Sequence, residues 1–518
     1  MNENKYKIVY ISLIVALGGL LMGFDASVIS GVIKFIEIDF NLSKIQLGWA
    51  VSSLTLTSTL AMFIAGPLSD KYGRRLILKY SAILYAISAI YSALSINFTH
   101  LIIARMIGGL GVGSSLIIAP MYIAENSPPK IRGRMVSFNQ LNIVIGISLA
   151  FFSNYFILNL SNNDIFYNSI LNNNSWRIML GVEFIPAILY LIALFFVPKS
   201  VRWLIMNNKV SEAKKVIKSL STSTNIDDEI KEIQFSLSTE TNENKFNYKE
   251  LFNPIFNKIL IIGIVIAILQ QITGINSVFF YAPMIFEQTG IGTNASFSQA
   301  ILIGVINIIF TVLAISLIDK IGRRPLLIFG VTLITISMLT LSYSFNKATY
   351  KISDDSFLNL PEEIANSEKI DKILNIEYSN DILFKQALKD IFGEKIANKY
   401  ESDLIKLAIK ANSLIILIAI LSFVASFAIS LGPVMWVLLS ELFPNKIRGI
   451  AISFVGLINS SVSFVVQFLF PWELSNLGSS LTFLIYGLFA LLGIIFVYFK
   501  IPETKGKSLE DLEKLLVK

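Results

Sequence analysis

What this sequence does without narrows its chemistry before any motif is read. It has no cysteine and one histidine, His100. Disulfides, thiolate nucleophiles and cysteine-based zinc sites are therefore excluded. Neither a Ser–His–Asp triad nor a histidine-rich metal centre has the residues it needs, so no metal and no cofactor is expected. Charge is scarce too: 15% of the 518 residues are Asp, Glu, Lys or Arg, against roughly 25% in a soluble protein. What is present instead is apolar. Hydrophobic residues make up 54% of the chain, and 38 Phe outnumber the 5 Trp and 18 Tyr together. About a dozen runs reach the ~20 residues needed to cross a bilayer. The chain reads as a protein whose solvent is mostly lipid.

The first run, Ile8–Ile33, is interrupted only by Asp25. It is too long for a removable signal peptide and lacks the small-residue cleavage site, so it is expected to remain as a spanning helix. Further runs fall at roughly 46–66, 76–96, 101–123, 135–160 and 178–197. Gly108-Gly-Leu-Gly-Val-Gly113 lies inside the fourth. It follows no strand, so it reads as a close helix–helix contact rather than a dinucleotide loop. Polar sequence then takes over at about 205–250, a soluble helical linker. Six more runs follow, at roughly 257–285, 297–318, 325–345, 408–436, 450–470 and 479–499.

The two sets are copies of one another. Gly66-Pro-Leu-Ser-Asp-Lys-Tyr-Gly-Arg-Arg75 joins two apolar runs in the first half, and Ile318-Asp-Lys-Ile-Gly-Arg-Arg-Pro325 does so in the second. Glu125-Asn-Ser-Pro-Pro-Lys-Ile-Arg-Gly133 is matched by Glu441-Leu-Phe-Pro-Asn-Lys-Ile-Arg-Gly449. Between the paired motifs, Asp70 to Glu125 is 55 residues and Asp319 to Glu441 is 122, a surplus of 67. The surplus is the polar stretch 348–405. Ile370–Leu374 and Phe384–Leu388 within it have the pattern of short amphipathic helices. The expected organisation is a six-helix bundle over 1–200, a linker over 201–252, a second six-helix bundle over 253–500 that carries the 348–405 loop, and a tail over 501–518.

Lys71, Arg74, Arg75, Lys79, Lys130, Arg132, Arg134, Lys320, Arg323, Arg324, Lys446 and Arg448 gather on one side of this topology, with the linker and the tail. By the positive-inside rule that side is cytoplasmic, both termini included, and the long loop is outside. The net charge of +7 is accounted for in the same way and calls for no nucleic acid.

The chemistry available at lipid depth is sparse and specific. Asn and Gln both donate and accept, which matches the double role of a hydroxyl group. Gln270, Gln271 and Asn276 fit a site for a polyhydroxylated ligand. Positions i and i+6 share a face only if the helix is broken nearby, and Gly274 sits between them. Asp25 is a mid-helix carboxyl, costly in lipid and functional by default. Its expected partner is Arg105, the only charge in the core of the fourth run. Desolvation favours the protonated carboxyl and a neighbouring cation the carboxylate, so making and breaking this pair binds and releases a proton. A static buried pair that joins two helices is the competing reading. For a single amide, the competing reading is an interhelical hydrogen bond.

Taken together, Pro120-Met-Tyr-Ile-Ala-Glu125, Gln270-Gln-Ile-Thr-Gly-Ile-Asn276, Gly432-Pro-Val-Met-Trp436, Pro502-Glu-Thr-Lys-Gly506 and the repeated charged turns make the chain resemble the sugar porter family of the major facilitator superfamily. The resemblance implies twelve transmembrane helices in two six-helix bundles with nested inverted repeats, all-α and multi-pass in the cell membrane, rocking about a midplane site. It implies a monosaccharide, hexose or pentose, imported together with a proton. The protein would be a monomer and not an enzyme, with sugar, proton and lipid bilayer as its only partners.

By the same resemblance Gln140, Asn307 and Asn459 also reach the sugar. Trp436 supplies a stacking face, Phe24, Tyr281 and Phe427 form walls, and Glu183 matches a second acid of the symporters. Asp70, Arg74, Arg75, Glu125 and Arg132, with Asp319, Arg323, Arg324, Glu441 and Arg448, match a gating network at cytoplasmic helix ends. A passive uniporter of the same fold and a non-transporting sugar sensor remain as alternatives.

Three departures from the family pattern stand out. Pro198-Lys-Ser-Val-Arg-Trp203 has Lys199 where the family usually has Glu, which weakens the expected linker contact. Ile147 stands where the bacterial xylose symporters have glutamine. Ser460 replaces a tryptophan of the human-type facilitators.

Overall fold

The computed structural model of the chain describes residues 3–128, 131–162, 174–220, 226–243, 251–444, 447–507 and 512. Lys130 and Lys446, two of the orienting charges, lie outside these, as do parts of the linker and most of the tail. Among the described residues twelve helices are long and apolar enough to cross a membrane. The first six are Tyr6–Gly31, Lys44–Tyr72, Arg74–Ala93, Phe98–Asn126, Arg132–Ser161 and Ser175–Ala193. The second six are Pro254–Phe280, Thr293–Ile321, Arg323–Asn346, Ser413–Leu442, Arg448–Asn476 and Gly478–Lys500. Helices are what lipid demands, since every backbone donor and acceptor must be satisfied within the segment. At 1.5 Å per residue a 29-residue span measures about 44 Å. That exceeds the ~30 Å hydrocarbon layer, so its charged ends can stand clear of it.

The duplicated turn works through its glycine. Gly73 has φ +98° and Gly322 φ +108°, a region that L side chains rarely enter. Each lets one span stop and the next begin without a loop between them. The glycine run of the fourth span sits against backbone: a Cβ on Gly113 would lie 2.0 Å from the Ser58 carbonyl oxygen in the second span.

The chain divides into two compact units. One is Met1–Ala26, Ser53–Ala150 and Arg177–Lys249; the other is Ser27–Ser52, Phe151–Trp176 and Glu250–Lys518. The core of the first gathers Tyr85, Tyr122 and Tyr190, all fully buried, among aliphatic side chains. The linker belongs to this unit as helices Val201–Met206, Val210–Leu220 and Ile226–Glu243. It has a small core of its own around Trp203, Leu204 and Ile217. Despite Lys199, the linker is held to the bundle. Trp203 Nε1 donates to the Asp70 carbonyl at 2.9 Å, Arg75 donates to the Val197 carbonyl at 2.8 Å, and Ser200 donates to the Glu125 carboxylate.

The second unit carries the insert between the ninth and tenth spans, and there the all-helical pattern gives way to a small sheet. Strands β1 (Thr349–Lys351), β2 (Glu377–Tyr378) and β3 (Ile409–Lys410) form it, in the order β2-β1-β3 and antiparallel. Of the two short helices expected here, Phe384–Leu388 lies within helix Asp381–Phe392. Ile370–Leu374 is corrected to one 3-10 turn, Ile370–Lys372, because Leu374 is drawn into a bridge with Ile352.

Candidate functional site

In the second unit, the seventh span stops at Ile272 and a new helix starts at Ile275. Gly274 makes the break, with φ +86°; a Cβ there would also come within 2.5 Å of the Tyr486 ring. The break turns Asn276 back so that its Nδ2 donates to Gln271 Oε1 at 2.8 Å. The tenth span is interrupted as well. Helix Ser413–Ile429 ends and Leu431–Leu442 begins around Ser430, and Pro433, three residues further on, has no amide hydrogen to offer. Gln270 Nε2 reaches the first turn of the new helix, donating to the Leu431 carbonyl at 2.9 Å and the Gly432 carbonyl at 3.3 Å.

Asn459 of the eleventh span closes the ring. Its Nδ2 donates to Gln270 Oε1 at 2.8 Å and to the Ala267 carbonyl at 2.9 Å, and its Oδ1 accepts from Gln271 Nε2 at 3.1 Å. Two residues that the motifs did not single out extend the network. Asn276 Nδ2 also donates to Ser463 Oγ at 2.7 Å, which in turn accepts from Gln467 Nε2 at 2.7 Å. The signal for them was available: Asn459, Ser463 and Gln467 lie at i, i+4 and i+8, one polar stripe along an apolar helix.

Gln270, Gln271 and Asn459 are buried, with 4%, 8% and 6% of their surface exposed, whereas Asn276 is half-buried. None of these bonds uses Asn276 Oδ1. The set is therefore a preorganised array of amides with one member at its edge, suited to exchanging hydrogen bonds with hydroxyl groups. Trp436, on the tenth span after the break, is 44% exposed and presents an indole face. Asn307 is buried in the eighth span and Phe427 half-buried in the tenth. Tyr281 is fully buried against Phe470 and donates its hydroxyl to the Gln467 carbonyl at 2.9 Å. Gln140, exposed, and Phe24, buried, belong to the first unit.

The first unit holds the charged cluster. Arg105 Nη1 is paired with Asp25 Oδ1 and donates to the Asp25 backbone carbonyl at 3.0 Å. Both residues are buried, at 2% and 1% exposure, and Glu183 is as buried as Arg105. Glu183 lies between the helices Ser175–Gly181 and Phe184–Ala193, within electrostatic reach of both Asp25 and Arg105. Asp25 Oδ2, Arg105 Nε and Glu183 Oε1 have no hydrogen-bond partner among the described residues. Two carboxyls and one guanidinium leave a surplus negative charge unless one carboxyl holds a proton, and an uncompensated charge at this depth is costly.

The charged turns are twins in contact as well as in sequence. Arg74 pairs with Asp70 at 2.7 Å and Glu125 at 2.8 Å. In the other unit Arg323 pairs with Asp319 at 3.0 Å and Glu441 at 2.8 Å. The halves differ at the next element. Glu503 accepts from the backbone N–H groups of Arg323 and Arg324, each at 3.1 Å, at the start of the ninth span. Its first-half counterpart by motif, Lys199, pairs instead with Glu212 of the linker at 3.0 Å. Arg324 donates to the Tyr498 carbonyl at 2.7 Å, Arg448 donates to the Phe443 carbonyl at 3.0 Å, and Arg132 is exposed.

Known proteins resemble this chain over nearly its whole length. The family model described as "Sugar (and other) transporter" matches residues 11–357 and 391–516. The arabinose-proton symporter of Bacillus subtilis is 33% identical over 99% of this chain and 95% of its own length. The glucose transporter GlcP of Staphylococcus epidermidis is 33% identical over 99% and 97%. Among solved structures, the inward-open xylose transporter of Escherichia coli superimposes with a TM-score of 0.74 and 32% identity, covering 98% of this chain and 100% of that one.

Proposed function

The chain belongs to the sugar transporter family and has the twelve-helix fold of the major facilitator superfamily, and from that premise we propose that it imports a monosaccharide together with a proton by alternating access. The observation that carries the proposal is the amide ring Gln270–Gln271–Asn276–Asn459 at two coincident helix breaks. A neutral polyol needs groups that donate and accept at once and an aromatic plane, with no fixed charge, and that is what these residues and Trp436 offer. Gln140, Asn307, Phe24, Tyr281 and Phe427 enter the site on the family resemblance. The named relatives handle arabinose, glucose and xylose, so the substrate class is hexose or pentose.

Asp25, with Arg105 and Glu183, carries the proton. Protonation releases Asp25 from the guanidinium, and return of the carboxylate to Arg105 expels the proton. Asp70, Arg74, Arg75, Glu125 and Arg132, with Asp319, Arg323, Arg324, Glu441 and Arg448, form the cytoplasmic gating network. The bodies that move are the six-span halves, 1–200 and 253–500. Both termini and the linker face the cytoplasm, the insert faces outside, and the protein acts as a monomer in the cell membrane. The test is uptake of a panel of labelled sugars into proteoliposomes, with and without an imposed pH gradient. One sugar should accumulate only under an inward proton gradient. Equilibration without accumulation would make the protein a uniporter, and no sugar-specific flux under any gradient would overturn the transport reading.

A further inference from the structure

The family model leaves out residues 358–390, which lie inside the insert between the ninth and tenth spans. The insert is nevertheless a folded body. Tyr350, Ile373, Phe384, Leu388, Leu404 and Ile405 form its core, and the Tyr350 and Phe384 rings stack at 5.5 Å. A connection with no more to do than join two spans has no need of a core. We propose that this insert is a clamp: it fastens the short helix that follows the seventh span, Ala282–Glu287, with Gln288 after it, against the corner between the first and second spans, and so sets how readily the outer face opens. The proposal rests on the alternating-access reading for its consequence, but its geometry does not.

One side of the clamp is anchored to the second half of the chain. Asp381 is buried and accepts from the Ser479 N–H at 2.9 Å and the Ser479 hydroxyl at 3.0 Å, at the N-terminus of the twelfth span. A carboxylate there also meets the positive end of the helix dipole. Lys385 donates to Gln288 Oε1 at 2.7 Å and pairs with Glu401 at 3.2 Å. Gly290 fits under β3, where a Cβ would lie 2.2 Å from Ile409.

The other side reaches residues from the first half. Helix Glu394–Ala408 packs on both Ala282–Glu287 and Ile33–Asp39. Beside that contact Lys34 pairs with Glu287 at 3.2 Å and donates to Thr293 Oγ1 at 2.6 Å. Glu401 lies in the field of Lys44 at the head of the second span. Opening the outer face must part Ile33–Asp39, Lys34 and Lys44 from Ala282–Gln288, and Glu401 with its helix resists that separation.

The test uses the full-length protein in lipid nanodiscs. Because the chain has no cysteine, Ser43→Cys and Asn476→Cys, both at exposed positions, place two spin labels without background. Their distance distribution reports opening. With Glu401→Gln, or with the anchor cut by Asp381→Asn, the open-to-closed ratio should rise roughly fivefold, the low end of typical couplings. Thermal unfolding of each variant separates a shifted equilibrium from a damaged fold, and Glu401→Asp should restore part of the closed population. Distributions unchanged in both folded variants would overturn the clamp. If the distances respond but no sugar crosses the same protein in liposomes, the clamp stands and the transport reading fails. Sugar flux with unresponsive distances removes the clamp and leaves the transport reading standing.

Discussion

Removing the carboxylate of Asp25 strips Arg105 of its ion-pair partner among the described residues, in a site with 2% exposure. Breaking a buried pair from one side costs about 3–5 kcal/mol, because the remaining charge stays desolvated. Asp25→Asn should fall at the low end, near ~3 kcal/mol, since the backbone carbonyl of residue 25 still accepts from Nη1 at 3.0 Å. The double replacement Asp25→Asn/Arg105→Met removes both charges at similar volume and should cost less than the single one, because no uncompensated charge is then left buried. Unfolding of the four proteins of this cycle, followed by tryptophan fluorescence in one detergent, should give a coupling of about 2 kcal/mol or more, within the range for contacting residues. Glu183 supplies an internal control. It feels Arg105, so Asp25→Asn with Glu183→Gln should cost more than the two added separately. In liposomes Asp25→Asn should abolish proton-driven accumulation and leave sugar counterflow. An additive cycle, within ~0.5 kcal/mol, would refute the energetic argument. Undiminished accumulation in Asp25→Asn would refute the proton role.

Asn459→Ala deletes the hydrogen bonds to the Ala267 carbonyl, Gln270 Oε1 and Gln271 Nε2 and leaves the two glutamines bonded only to each other on that side, at 3.2 Å; at ~0.5–1.5 kcal/mol per lost bond, the KM for sugar should rise about tenfold. Ser463→Ala should raise KM by less, with kcat retained and Ser463→Thr restoring affinity. Lys199→Glu breaks the Lys199–Glu212 pair and sets two carboxylates together; the pair is half-exposed, so the cost should be small, read as a slightly lower unfolding temperature that Glu212→Lys in the same protein restores. Arg74→Ala cuts the contacts to Asp70 and Glu125, and should change transport rate while leaving the ranking of sugars intact. Burial pushes the Glu401 carboxyl up, but Lys385 and Lys44 outweigh it and hold it at about 2. A depressed acid contributes stability above its unfolded value of 4.5 and loses it as pH falls toward the folded one. Glu287 is shifted the other way, raised by burial that Lys34 only partly offsets. Acidifying the outside should therefore loosen the Lys34–Glu287 pair before Glu401 loses its charge. The Ser43/Asn476 label distances should accordingly broaden in wild type and in Glu401→Gln alike, and Glu287→Gln should remove the response.

Whatever lipid makes local could be read from the chain alone. A segment in a bilayer has to satisfy its backbone within itself, so twelve spans, the duplicated turns at Gly73 and Gly322 and the helix break at Gly274 were all legible from hydropathy, repetition and residue type. Asp25 declared itself for the same reason: a lone carboxyl in an apolar run has no cheap explanation. How helices turn toward one another is a different matter, and it emerges only in the folded molecule. Hydropathy does not say that Asn276 bonds to Ser463 rather than to a residue of another span, nor that Gln270 bonds the first carbonyls after the Ser430 break. The insert shows the limit most clearly. In water its polar composition is as compatible with a mobile loop as with a folded one, and its core forms from residues as far apart as Tyr350 and Ile405. Its docking depends on single long-range contacts, Asp381 with Ser479 and Lys385 with Gln288. Such contacts leave no periodic trace in the chain, because each is one side chain meeting one partner about a hundred residues away.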